Sequence, residues 1–107
     1  MKTTQEEKRQ NGLISIMNHS EDLSKHGKIN ESQKVLLPLT TESFEQPARL
    51  YKRLAINARK QKDYMAEIEF INKFITDFQP LYGGTMWLDV FEPRLAKAKE
   101  LYKKSLK

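Results

Sequence analysis

Two short polar breaks, Gly27-Lys28-Ile29 and Lys62-Asp63-Tyr64, stand 35 residues apart in a chain of 107. Each separates two runs in which apolar residues recur every three or four positions, the spacing of one face of an α-helix. A period near 34 residues with two antiparallel helices per unit marks a helical repeat. Such a chain must lay the stripe of each hairpin against a neighbour to bury it. With only four Gly and four Pro, it has too few turn signals for a many-stranded sheet.

The spacing predicts five helices. Residues 1–11 are polar and mixed in charge, and read as a flexible N-terminal segment that leaves residues 12–107 as one helical domain. Helix one starts near Gly12, carries Leu13, Ile16 or Met17, Ser20 and Leu23, and is capped by Gly27. Helix two starts at Asn30, which has the form of a capping box with Gln33. Val35, Leu36 and Leu39 are its stripe, and Pro38 should kink or shorten it for want of an N–H. Residues 40–46 read as a loop.

Helix three begins at Pro47, a residue suited to a first turn, and gathers Leu50, Tyr51, Leu54, Ala55 and Ala58 on one face. Helix four follows Asp63 as N-cap, with Tyr64, Ile68, Ile71, Ile75 and Phe78 at helical steps. Residues 79–90 read as a loop. Helix five starts near Glu92 with Pro93 in its first turn. Its stripe is Phe91, Leu95, Ala98, Leu101 or Tyr102, and Leu106.

The second hairpin resembles the tetratricopeptide repeat family. That family carries an aromatic and then a Leu-small pair early in the first helix, here Tyr51, Leu54 and Ala55. A turn residue and an aromatic then open the second helix, as Asp63 and Tyr64 do. The stretch RLAINARKQKDYMAEIEFINKFI is similar to divergent bacterial forms of the unit. The likeness covers residues 46–80 well and residues 12–40 weakly, and residues 91–107 look like a terminal capping helix. The small residue expected early in the second helix is Ser32 in the first unit but Glu67 in the second. His19 and Ser20 stand where a Leu-small pair is expected. The expectation is an all-α array of two such hairpins plus a cap, and a plain helical bundle is the alternative.

Charge points to a use. From Pro47 to Lys62 there are six basic residues and no acid. In the resembling family, ligands lie against the surface made by the first helix of each hairpin. Carried across by helical position, that surface presents Arg49, Lys52, Arg53, Ile56, Arg59 and Lys60. Arginine can hold a carboxylate through two parallel hydrogen bonds, and lysine adds a point charge. The expected function is non-enzymatic binding of an acidic or C-terminal peptide segment of another protein, with Ile56 as apolar anchor. A solvated basic face is the plainer reading.

Net charge of +5 also permits nucleic-acid binding, although no helix-turn-helix, zinc or RNA-binding signature accompanies it. A structural subunit of a larger assembly is a third reading. Tyr82, Met86, Trp87 and Phe91 are the densest aromatic segment. They pack over the end of the stack or form a self-association patch for a homodimer. The physical motive for a dimer is that two hairpins are few for a stable array.

The chain lacks cysteine, so disulfides and thiolate metal sites are excluded. His19 and His26 lie two turns apart with no third ligand of suitable type, and no cofactor is expected. Glu67 and Glu69 point different ways on one helix. Ser15, Ser20 and Ser24 have no evident base, and Gly83-Gly84 lacks the rest of a phosphate loop. The longest apolar run is residues 35–39, far short of the roughly 20 residues of a membrane span. No apolar core follows the N-terminal lysine, so no secretory signal is read and the cytoplasm is the expected compartment.

Overall fold

A computed structural model describes residues 4–83 and 85–106. The fold is all-α, with no strand among the described residues. Among the described residues six α-helices follow in order: α1 (Gln5–Lys25), α2 (Ile29–Leu36), α3 (Pro47–Lys60), α4 (Tyr64–Asp77), α5 (Gln79–Tyr82) and α6 (Leu88–Ser105). A 3-10 helix over Leu37–Thr41 follows α2 directly. No described helix is long and apolar enough to cross a membrane.

The two breaks fold into the same turn, bond for bond. Gly27 and Lys62 both have positive φ, 78° and 61°. In the first turn the Lys28 amide donates to the Leu23 carbonyl and the Gly27 amide to that of Ser24. In the second, Asp63 donates to Ala58 and Lys62 to Arg59. These are the two bonds of a Schellman helix end, which needs a left-handed residue at its centre. The predicted repeat is therefore a structural one. Leu13 and Ala48, Ser20 and Ala55, Leu36 and Ile71, and Leu39 and Phe74 are pairs 35 apart in which both members are buried.

Helix α1 pairs with α2, α3 stacks on α2 and touches α1, α3 pairs with α4, and α6 lies on α4. The longer helices thus stack in chain order, with the short α5 bridging α4 and α6 in sequence, giving an elongated body of 58 × 34 × 20 Å. The apolar core runs through it from Leu13 and Met17, by Leu36, Leu50 and Leu54, to Ile71, Phe74 and Phe91. At the far end the rings of Phe74 and Phe91 meet with centroids 4.4 Å apart.

A buried polar cluster joins the two hairpins. Asn57 of α3 has no exposed surface. Its amide donates to Ser32 Oγ at 2.9 Å and to Gln33 Oε1 at 3.0 Å, and its Oδ1 accepts from Ser24. Ser32 Oγ donates to the Ser20 carbonyl, and Gln33 to that of Leu54. Every bond crosses between helices, so the cluster fixes the register of α3 on α1 and α2, which an apolar contact fixes only loosely.

Several expectations are corrected. Helix α1 begins at Gln5, not near Gly12, because Thr4 is an N-cap whose hydroxyl oxygen accepts from the Glu7 amide. The segment read as flexible is anchored there: Gln10 donates to the Ser43 carbonyl at 2.7 Å and accepts from the Glu45 amide. Residues 1–3 lie outside the described residues. Asn30 caps nothing; α2 starts at Ile29 after Lys28. The stripe of α4 is rotated, its buried residues being Glu67, Ile71 and Phe74. The predicted loop after α4 holds the short helix α5. Helix α6 starts at Leu88, four residues before Glu92, so Pro93 lies inside it rather than in its first turn.

Candidate interaction groove

Pro47 opens α3, and the helical period then turns Arg49, Lys52, Arg53, Ile56 and Lys60 toward the side opposite Tyr51, Ala55 and Ala58. Side-chain partners divide these residues sharply.

Arg49 is consumed within the protein. Its Nε donates to Glu21 Oε2 at 3.0 Å, and a second guanidinium nitrogen reaches Glu21 Oε1. Gln46 and Asn18 accept its remaining contacts. This fork ties α3 to α1, and its hydrogen bonds hold the Glu21 carboxyl below the ordinary glutamate value of 4.5.

Arg59 is consumed as well. Its Nε donates to Glu67 Oε1 at 3.0 Å, and another nitrogen donates to the Arg94 carbonyl on α6. Arg94 returns a bond to Glu67 Oε2 at 2.9 Å. The Glu67 side chain has no exposed surface. Arg59, Glu67 and Arg94 therefore staple α3, α4 and α6 together, where a docking surface was expected. Reversing Arg49 or Arg59 to Glu would set a carboxylate against Glu21 or Glu67 and damage the fold, so neither belongs to a free binding face.

The rest of the set is less engaged within the protein. Lys52 and Lys60 are exposed and have no ion pair among the described residues. Arg53 donates one bond, to Ser24 Oγ at 3.3 Å, and its Nε has no acceptor among the described residues. Lys52, Arg53 and Ile56 line a shallow groove of about 300 Å³, together with the Arg49–Glu21 pair and Trp87. Lys60 lies on the same side of α3 but outside the groove wall.

Tyr82, Met86, Trp87 and Phe91 were expected either to pack over the end of the stack or to form a self-association patch. The three aromatic rings of the set lie together against the core, as the packing reading has it. Phe91 has no exposed surface, and Tyr82 and Trp87 pack partly against the core. The Tyr82–Trp87 rings meet edge-on at 6.0 Å, and Met86 alone of the four stands well exposed. Tilted contacts with Phe74 and Phe91 bury these rings, and Trp87 also borders α3. Its indole Nε1 is buried and has no partner among the described residues.

His19 and His26 are exposed, and no group of three metal-ligating side chains forms among the described residues. Ser20 and Ser24 are buried members of the polar cluster. Gly84 lies outside the described residues. Sequence reasoning missed Trp87 as a groove wall, because a loop residue has no helical register to place it. Compared with family models, curated proteins and solved structures, the chain matches none.

Proposed function

We propose that the chain is a non-enzymatic, cytoplasmic interaction module of tetratricopeptide-like architecture that binds an acidic segment of another protein in the Lys52–Arg53–Ile56–Trp87 groove. The architecture is supported by two hairpins of period 35 whose turns repeat bond for bond. The function rests on one observation: Arg53 and Trp87, each with a buried N–H that has no acceptor among the described residues, line the same groove as Lys52, which has no ion pair among them. A buried N–H without an acceptor costs about 1–3 kcal/mol. A carboxylate is the ligand chemistry that brings oxygen acceptors and a charge opposite to Lys52 and Arg53. Ile56 supplies apolar contact.

Trp87 is the sole tryptophan, so its fluorescence reports on the groove directly. The test titrates an Asp- and Glu-rich octapeptide with a free C-terminal carboxylate into the wild type and a Lys52→Glu/Arg53→Glu variant. The expected result is a saturable Trp87 signal whose affinity falls at least tenfold in the variant. Equal binding by both proteins would remove the proposal. Tighter binding of unrelated DNA, falling steeply with salt, would replace it with the nucleic-acid reading.

A further inference from the structure

A second concavity is independent of the groove. It measures about 580 Å³ and shares no lining residue with it. It lies among the 3-10 segment and the loop that follows, the first turns of α3, and the junction of α4 with α5. Leu39, Phe44, Leu50 and Tyr51, all nearly inaccessible core residues, contribute to its wall. Phe78 and Tyr82 continue that wall, while Leu81 is 78% exposed at its edge.

Volume and lining match the range for small organic ligands, which sit in mostly apolar cavities of roughly 300–1,000 Å³ with a few polar groups. The charged residues of the lining are Glu42 and Glu45, and no Lys, Arg or His is among them. Arg9 neutralises Glu42 at 3.0 Å, whereas Glu45 has no ion pair among the described residues. The buried Tyr51 hydroxyl has no hydrogen-bond partner among the described residues. An apolar wall with an unneutralised carboxylate disfavours fatty acids and other anions. It favours an apolar body carrying a positive charge.

The geometry points to a binding site for a small aromatic or aliphatic organic cation between the 42–45 loop and α5, with Glu45 as its counter-charge. Gln10 and Arg9 of α1 hold that loop in place through Ser43, Glu45 and Glu42. The cavity is therefore braced on the side that carries the charge.

Three naphthalene probes of nearly equal size test this: protonated 2-naphthylmethylamine, neutral 2-naphthalenemethanol and anionic 2-naphthoate. Methyl NMR follows Leu39, Leu50 and Leu81. The amine should shift these methyls saturably and bind at least fivefold more tightly than naphthoate. Glu45→Gln, a change on an exposed side chain, should narrow that gap to under twofold. Naphthoate binding as tightly as the amine, or shifts confined to other methyls, would overturn the site. So would an amine preference unchanged by Glu45→Gln. Concentration-dependent shifts without probe would assign the cavity to a second copy of the chain. A lysine-bearing apolar peptide binding over a hundredfold more tightly than the amine would assign it to a protein partner.

Discussion

Glu67→Gln removes the charge from a carboxylate with no exposed surface and two arginine partners, at 3.0 Å and 2.9 Å. Hydrogen bonds to charged groups contribute about 1.5–3 kcal/mol each, and breaking a buried pair at one partner costs about 3–5 kcal/mol. The glutamine keeps one acceptor, but its amide turns donors toward the second guanidinium. Arg59 and Arg94 remain 29% and 24% exposed, so each recovers some hydration once unpaired. That sets the expected loss at the lower end, about 3 kcal/mol. Domains of this size hold about 5–15 kcal/mol in total, and each 1 kcal/mol moves Tm by about 4–8 °C. The melting point should fall by about 12–24 °C in thermal unfolding followed by circular dichroism, with a matching loss in urea. Because Arg94 belongs to α6, amide exchange in that helix should rise most. A loss under about 1 kcal/mol, or exchange that rises evenly along the chain, would refute the staple. Replacing Arg59, Glu67 and Arg94 together by Leu, Met and Leu should cost far less than Glu67→Met alone, since the burden of a broken triad is the charge left unpaired.

Two further outcomes follow from the repeat and from the α1–α3 bridge. Lys62 holds φ at 61° where its counterpart is Gly27, and a side chain in that conformation costs about 1–2 kcal/mol. Lys62→Gly should raise stability by about 0.5–1 kcal/mol and Gly27→Ala lower it by about 1 kcal/mol in urea unfolding; reversed signs would contradict the turn assignment. The Glu21 carboxyl is held below its ordinary 4.5 by Arg49, so protonation favours the unfolded chain. Its contribution is full above about pH 4.5 and is lost as pH falls through the lowered folded value. Urea midpoints of Glu21→Gln should therefore lie below wild type at pH 7 and converge with it in acid, and a gap constant with pH would count against the pairing.

The sequence reveals what repeats and conceals what crosses between helices. The α3 face was legible because Leu50, Tyr51, Leu54, Ala55 and Ala58 are apolar and all buried. Asn57 stands seven residues from Leu50, two turns along the same face, yet a hydropathy reading leaves it outside. The stripe of α4 was displaced for the same reason: its centre is Glu67, which periodicity counts as solvent-facing. The clue lay in the alignment of the two units, where Glu67 takes the place of the small Ser32. A large charged residue at a position meant for a small one needs partners, and Arg59 and Arg94 supply them from two other helices. Glu21 and Arg49 stand 28 residues apart, a relation no helical period encodes.

The two junctions solve one packing problem with different chemistry. Ser24 and Ser32 of the first unit correspond to Arg59 and Glu67 of the second, each 35 residues on. In both units a polar residue of a later helix joins the pair: Asn57 bonds both serines through its side chain, and Arg94 bonds Glu67 through its guanidinium and Arg59 through its backbone carbonyl. This explains why the run of six basic residues overstates the binding face. Each arginine of α3 donates to another side chain, while Lys52, Lys60 and Lys62 make no side-chain bond among the described residues. Guanidinium is less strongly hydrated than ammonium and spreads its donors in a rigid fork, so it is the cation a small core can take in. Ammonium, a strongly hydrated point charge, stays outside. Within this hairpin Arg49 and Arg59 report on how helices are held, and Lys52, with the sparsely bonded Arg53, on what charge remains for a partner.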